Sequence, residues 1–521
     1  MSLPPLIAAL LSPAAFPERP DIVKLVQTHI SYVFILPDVV YKIKKPVNLG
    51  FLDFTTLEKR RFFCEEEARL NSRLGPDVYI GVVPITFSGG KAQVNGLGAA
   101  VEYAVKMRRI SDKRLLVNMV KEGTVTPEQI RRVAVVIAAF HKDAQTDERI
   151  AAFGEAGMIE YNATENFEQT ARFAGTIIST VEYERIKAYT MGFIGANAAL
   201  FASRVKNGFI RDCHGDIHSE HVSIDAKVEI IDCIEFNERF RFSDCVADAA
   251  FLSMDLDYLG RHDLAEVFDA AYLSATGDGD GRCLLGFYKC YRAYVRGKVA
   301  GIKYLEPEVG KEEALAAYIE AKRHFALALQ YAEGVYRPSL VVVAGLSGTG
   351  KTTLANAISK AADMPVLSSD VIRKQLAGLR PEEHGEFAYG AGIYTPEFTA
   401  KTYSALIDRA GQMLKTGRPV IIEATFARRR HLIEALEAAK EAGADVYIIE
   451  CRAADGTVMR NMSERAKAGT VSDAGYEVYK RQKEGFEEID QPHLPVEVEA
   501  GVKRNLQRAL EYIFSLPSSA W

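Results

Sequence analysis

Apolar and polar residues alternate along THISYVFILPDVVYKIKKPV, residues 28–47, on both sides of Pro37-Asp38. A period of two interrupted by Pro-Asp predicts a β-hairpin. In its second arm Lys42 and Lys44 share one face, while Tyr41, Ile43 and Lys45 share the other. The period then lengthens. TTLEKRRFFCEEEARLNSRL, residues 55–74, opens on a threonine cap and reads as a helix with Glu65, Glu66 and Glu67 near its middle. Two further strands, VYIGVVPITF and AVEYAVKMRRI, complete a small lobe. Residues 127–210 carry mostly helical spacing, as in PEQIRRVAVVIAAFHKDA, and residues 258–336 do so again around a glycine-rich turn at 275–282. That turn lacks the residue order and closing glutamate of a calcium loop. The tyrosines of GFYKCYRAYVRGKVA, residues 286–300, fall at helical spacing and predict core. A domain boundary is expected at Arg337-Pro338, after an amphipathic helix suited to a docked hinge. Beyond it a β-branched apolar run, Leu340 to Val343, reads as a buried parallel strand, with helical and strand-like segments following in turn.

Length and composition narrow the class. At 521 residues the chain is too long for one core, so several domains are expected. With 48% hydrophobic and 26% charged residues it has the make-up of a globular protein. Its net charge of −5 argues against a long nucleic-acid footprint. Seven cysteines, never spaced C-x-x-C, fit free thiols in a reducing compartment. The opening MSLPPLIAALLSPAAFPERP lacks a basic leader and is broken by prolines, so it reads as an amphipathic cap rather than a signal peptide. No apolar run approaches the ~20 residues that span a bilayer, and a cytoplasmic location without membrane contact is expected.

Between the strand at 340–343 and the next helix lies G-x-x-x-x-G-K-[ST], Gly345 to Thr352. Gly345, Gly348 and Gly350 let the backbone turn its N–H groups, with Ser347, Thr349 and Thr353, toward a polyphosphate at a helix N-terminus. Lys351 would reach the β/γ-phosphates and the Thr352 hydroxyl a Mg²⁺ ion. A second stretch places Asp216 in the loop HGDIH, with Asp232 following in VEIIDCIEF. One carboxylate at an acceptor hydroxyl can take or orient its proton, and another at a strand end can hold Mg²⁺. His214, His218 and His221 also invite a zinc reading, although Gly215 and Asp216 make a ligand-bearing helix there doubtful.

HGDIH and IIDCIEFN, preceded by YKIKKPVNLGFLDF and CEEEARLN, resemble the aminoglycoside phosphotransferase-like kinases, specifically the family in which such a domain is fused to a P-loop kinase. The likeness covers roughly residues 20–300 and 337–515. It implies an α+β bilobal kinase-like domain over 1–336 followed by an α/β doubly wound P-loop kinase domain over 337–521. It also implies that Asp216 is the loop aspartate and Asp232 the metal aspartate. The strand lysine would be Lys42, with Lys44 as the alternative, and a helical glutamate such as Glu66 would complete the hold on ATP. One position departs from the pattern: His221 stands where the family carries a metal-ligating asparagine, and a neutral imidazole is a poorer match for Mg²⁺.

In the second half, Asp370 at the end of a short strand is the candidate base, and Arg373 one helical turn on would hold a phosphate of the acceptor. D-x-x-R resembles the polynucleotide kinase group. Glu423 would orient water on Mg²⁺. Arg428, Arg429 and Arg430 open a helix where cations oppose the dipole, so either an anionic substrate or plain solvation must compensate. Arg465 and then Arg460 are the candidate lid arginines over the transferring phosphoryl group, and Asp473 lies in the S-D-A segment after that lid. The sequence therefore predicts a bifunctional kinase that uses ATP or another NTP with Mg²⁺. The acceptor would be a hydroxyl of a small molecule or of a nucleic-acid end, and no oligomeric state is implied. Two alternatives remain open, a non-catalytic N-terminal binding module and a P-loop half that acts as an ATPase switch.

Overall fold

The computed structural model describes residues 3–307, 309–380, 392–468 and 476–514; the side chains of 465–468 and 477 lie outside that description. The chain forms two compact units. The first comprises residues 1–164, 191–256 and 264–289, and the second 165–190, 257–263 and 290–521.

In the first unit, β1 (Lys24–Gln27), β2 (Ser31–Ile35), β3 (Val39–Lys44), β4 (Tyr79–Ser88), β5 (Lys91–Val94) and β6 (Glu102–Arg108) make a sheet in the order β1-β2-β3-β6-β4-β5. Every neighbouring pair is antiparallel. Alternation along β3 sorts its side chains: Tyr41 and Ile43 join Phe34, Ile85 and Ala104 on one face. The N-terminal segment covers that face through Ile7, Leu10 and Phe16. The helix Leu57–Asn71, capped by the Thr56 hydroxyl, packs Cys64 on the other face against Val105 and Met107. The strands β7 (Ile210–Asp212), β8 (Val222–Ile224), β9 (Val228–Ile230) and β10 (Phe242–Asp244) form two small antiparallel pairs, β7 with β10 and β8 with β9. The loop His214–His221 runs between β7 and β8, and Asp232 follows β9.

The second unit is built on a parallel sheet of β11 (Ser339–Ala344), β12 (Val366–Ser368), β13 (Val420–Glu423), β14 (Asp445–Arg452) and β15 (Leu494–Glu497), ordered β12-β13-β11-β14-β15. These strands are near-continuous apolar runs because helices cover both faces. Leu354, Ile358 and Leu510 pack with Val341, Ile421 and Ile449 on one side. On the other, Leu406, Leu414, Leu432 and Ala435 pack with Val342, Ile422 and Ile448. The helix Lys311–Ala332 adds Ile319 to the first of these layers, so the unit takes in more chain than the segment after Arg337. Among the described residues no helix is long and apolar enough to cross a membrane.

Ile421 is fully buried in β13. Ile421→Ala is expected to remove about 2–5 kcal/mol of stability, read as a lower urea midpoint; an unchanged midpoint would show that this strand is not central to the core.

Candidate active sites

In the first unit the sheet face opposite Tyr41 carries a cluster of buried charge. Lys42 Nζ lies 2.9 Å from Glu67 and also pairs with Asp232, and Lys44 Nζ lies 2.7 Å from Glu67 and also pairs with Glu235. Lys44 and Glu67 have almost no solvent exposure. Burial alone would pull both lysines down, but the carboxylates around them outweigh it and hold them above the ordinary range. Burial likewise opposes charge on Glu67, yet Lys42 and Lys44 keep it below its ordinary value, while burial pushes Glu235 up. Asp232 sits past the end of β9 rather than within a strand, at φ 65°, and donates its backbone N–H to the Tyr79 hydroxyl at 3.1 Å. That left-handed conformation is uncommon for a residue with a side chain, and here it accompanies a carboxylate turned to Lys42.

The loop 214–221 is fixed by two buried carboxylates of the helix Cys245–Tyr258. Asp248 accepts the N–H groups of His214 and Gly215, both at 2.8 Å, and Asp255 accepts that of Ser219 at 2.8 Å. Asp248 also meets His141 Nε2 at 3.1 Å, and His141 Nδ1 meets the Tyr272 hydroxyl at 2.8 Å. Burial works against charge on His141, but its bond to Asp248 outweighs this and raises it to about 9. His214 is pushed down to about 4 by burial and stays neutral. At the loop's end His221 Nδ1 donates to the Asp216 carbonyl at 2.9 Å, and His221 Nε2 lies 3.5 Å from Asp232 Oδ2. Asp216 Oδ2 lies 3.5 Å from His221 Nδ1 and 3.6 Å from His218 Nε2. This mixture of imidazole and carboxylate does not fit Mg²⁺, which takes oxygen ligands in a near-octahedral shell.

In the second unit the loop after β11 leads into the helix Lys351–Ala362. Gly345 has φ 137°, and a Cβ there would stand 2.4 Å from the Cys451 carbonyl oxygen, so only glycine fits. Lys351 Nζ donates to the Leu346 carbonyl at 3.0 Å and lies 4.0 Å from Glu423. Glu423, buried at the end of β13, accepts from the Thr352 hydroxyl at 3.2 Å and the Ser368 hydroxyl at 2.9 Å. Those oxygens are donors of the kind Mg²⁺ takes. Two side chains from later helices touch the loop: Gln482 accepts the Ser347 N–H at 3.0 Å, and Asn461 donates to the Gly348 carbonyl at 2.9 Å. Beside the loop is a cavity of about 340 Å³ walled by Thr349, Gly350, Thr353, Val496, Val498 and Asn505. Asn505 Oδ1 is buried with no hydrogen-bond partner among the described residues.

Residues 340–489 match the family model described as AAA domain. The uncharacterized proteins Rv2004c and MT2060 of Mycobacterium tuberculosis and Mb2027c of Mycobacterium bovis are each 33% identical over 458 residues, 87% of this chain and 88% of theirs. The chain belongs to their family. Two solved structures are also similar. A putative kinase from Chloroflexus aurantiacus is 22% identical over 34% of this chain and 98% of its own, with a TM-score of 0.27. A choline/ethanolamine kinase family protein from Mesorhizobium loti is 12% identical over 62% of this chain and 98% of its own, with a TM-score of 0.34.

The geometry gathers Lys42, Lys44, Asp232, Asp216 and His221 in one unit, and Lys351, Thr352 and Glu423 in the other. Several expectations change. Glu66 faces outward and pairs with Arg69 at 2.7 Å, and it is Glu67 that meets both lysines. Helical spacing carries the signal, since Glu67 shares a buried stripe with Arg60, Cys64 and Leu70. Arg428 pairs with Glu487 at 3.0 Å, and Glu487 also accepts the Arg429 N–H at 2.7 Å, so carboxylates of the chain itself compensate the arginine-rich helix start. Arg373 is buried and spends its Nη1 on the Ile393 carbonyl at 2.8 Å and the Thr399 hydroxyl at 3.1 Å. Asp370 stands in the first turn of the helix Ser369–Leu376, whose N-cap is Ser368. Arg460 is exposed on the helix Asp455–Ala468; the Arg465 side chain and Asp473 lie outside the described residues. Asp248, Asp255, His141, Gln482 and Asn461 went unread because each acts on a backbone or ring far away in sequence.

The His141–Asp248 contact carries a pH signature. Folded His141 keeps its proton to about pH 9, whereas an unfolded imidazole loses it near ~6.5, so the contribution is full below about pH 6.5 and is lost as pH rises through about 9. Urea unfolding is expected to lose up to about 3 kcal/mol across that window. His141→Gln should flatten the slope, and equal slopes in both proteins would exclude this origin.

Proposed function

We propose that the protein is an ATP-dependent phosphotransferase with two sites, a kinase-like domain within residues 1–336 and a P-loop kinase domain within 337–521. What carries the reading is that each unit pairs a phosphate-holding lysine with a carboxylate at a strand end. These are Lys42 with Asp232, and Lys351 with Glu423 at 4.0 Å.

In the P-loop half the backbone N–H groups of 345–352 cradle the phosphates and Lys351 turns from the Leu346 carbonyl to the β/γ-phosphates. The hydroxyl of Thr352, with Glu423 and Ser368 behind it, would hold Mg²⁺, which neutralises charge on the phosphates. The neighbouring cavity takes the base, where the Asn505 carbonyl oxygen offers an acceptor for an exocyclic amine. Asp370 takes the acceptor hydroxyl's proton as its oxygen forms a bond to the γ-phosphorus and the bond to the β-phosphate oxygen breaks, releasing the nucleoside diphosphate. The lid role over the transferring group is proposed for Arg460, exposed on the helix Asp455–Ala468, and for Arg465.

In the first unit Lys42, held by Glu67, grips the donor phosphates, and Asp216 orients the acceptor hydroxyl. Hydroxyls of small polar molecules are the proposed acceptors there, and a nucleic-acid end is an acceptor open to the P-loop half. The presence of His221 beside Asp232 favours one competing reading, an N-terminal module that binds without transferring phosphate.

Lys351→Ala is expected to lower one phosphotransfer activity by about 10²-fold or more, and Asp216→Ala a different one, with labelled γ-phosphate as the readout. Loss of the same single activity in both variants would exclude two independent reactions. Glu67→Ala should act like Asp216→Ala while Glu66→Ala stays near wild type; the reverse pattern would remove the assigned role of Glu67.

A further inference from the structure

The geometry points to a first-row transition-metal ion of the Zn²⁺ or Co²⁺ class, rather than Mg²⁺, as the cation held by Asp216, His218 and His221, beside Asp232. Ligand atoms of Asp216, His218 and His221 all lie within 4.8 Å of one another. The carboxylate–imidazole separations here, 3.5 Å from Asp216 to His221 Nδ1, 3.5 Å from Asp232 to His221 Nε2 and 3.6 Å from Asp216 to His218 Nε2, exceed the ~2.7–3.2 Å of an N–H···O bond. The 3.6 Å between Asp216 and His218 Nε2 is close to the edge of a tetrahedron drawn around an ion with bonds of ~2.1 Å, which is about 3.4 Å.

The tautomer is set for this role. A carbonyl oxygen only accepts, so the 2.9 Å contact from the Asp216 carbonyl puts the proton of neutral His221 on Nδ1 and leaves the Nε2 lone pair facing Asp232. A ring nitrogen bonded to a backbone carbonyl while the other faces the ion is how metal-binding histidines are oriented. The rings of His218 and His221 lie side by side with centroids 3.9 Å apart. The loop that carries them is anchored by Asp248 and Asp255, so the ligands need little rearrangement. Imidazole nitrogen with carboxylate oxygen suits Zn²⁺ and Co²⁺, and two imidazoles disfavour a cation that prefers an all-oxygen shell. What the ion would do rests on the phosphotransfer reading of this pocket; whether it binds does not.

The test uses the full chain carrying Lys351→Ala, so that the P-loop contributes no nucleotide-linked metal site, and titrates Co²⁺ while following its visible d–d absorption. We expect a saturable band of tetrahedral intensity at one equivalent. His221→Asn and, independently, His218→Gln should each weaken Co²⁺ binding at least tenfold, with circular dichroism confirming the fold. Absence of the band, or an unchanged titration in both variants, overturns the inference. An intact, histidine-dependent band in a protein that transfers no phosphate from this unit upholds the ion site and sinks the phosphotransfer reading. Transfer that runs on Mg²⁺ without any Co²⁺ band does the reverse.

Discussion

Two ammonium groups, Lys42 and Lys44, are packed into one face of a β-sheet, and the first unit depends on how they are neutralised. An isolated charge taken out of water costs several kcal/mol even after relaxation. Glu67 from the covering helix and Asp232 and Glu235 from the segment after β9 must therefore converge on β3. Such a cluster is not a large source of net stability, since desolvation consumes most of the attraction, but losing one partner leaves a buried charge alone at about 3–5 kcal/mol. Its effect is to specify arrangement. Sliding β3 by one residue would send Tyr41 and Ile43 among the carboxylates and the lysines into the apolar layer of Phe34 and Ile85.

The charges in this cluster do not balance. Glu67, Asp232 and Glu235 face only two lysines, and the strain falls on Glu235, the carboxylate that burial pushes up. Asp216 brings a further carboxylate to the same side of the pocket through His221, which touches both Asp216 and Asp232. A pocket arranged in this way favours cationic or protonated groups near Asp232 and disfavours a bare polyanion. On the proposed function, a donor nucleotide would need its charge screened before Lys42 could hold it.

The phosphate site proposed for the second unit is built by other means. Its donors are backbone N–H groups whose direction is set by chain geometry, and the close approach of Gly345 to the Cys451 carbonyl fixes the loop against β14. Side chains enter at the edges: Glu423 gathers the Thr352 and Ser368 hydroxyls from two other elements, and Gln482 and Asn461 hold loop groups from the far side.

What could be read from the sequence divides along a physical line. Properties internal to a segment were legible: the period of two that puts Lys42 and Lys44 on one face, the glycine spacing of 345–350, and the apolar run that makes β11 a buried parallel strand. Pairings between segments were not. Glu67 and Glu66 have the same chemistry, and only their angle around the helix separates a buried ion pair from a solvated one. Arg428 looks like a phosphate ligand until Glu487, 59 residues away, is brought against it. Asp248 and Asp255 look like ordinary helical acids, yet they accept the backbone N–H groups of 214, 215 and 219, because a tight loop buried without such acceptors would leave those donors unsatisfied. Each miss is thus a case of a polar group whose partner is dictated by burial. The rule that buried donors find acceptors says that a partner exists without saying where along the chain it lies.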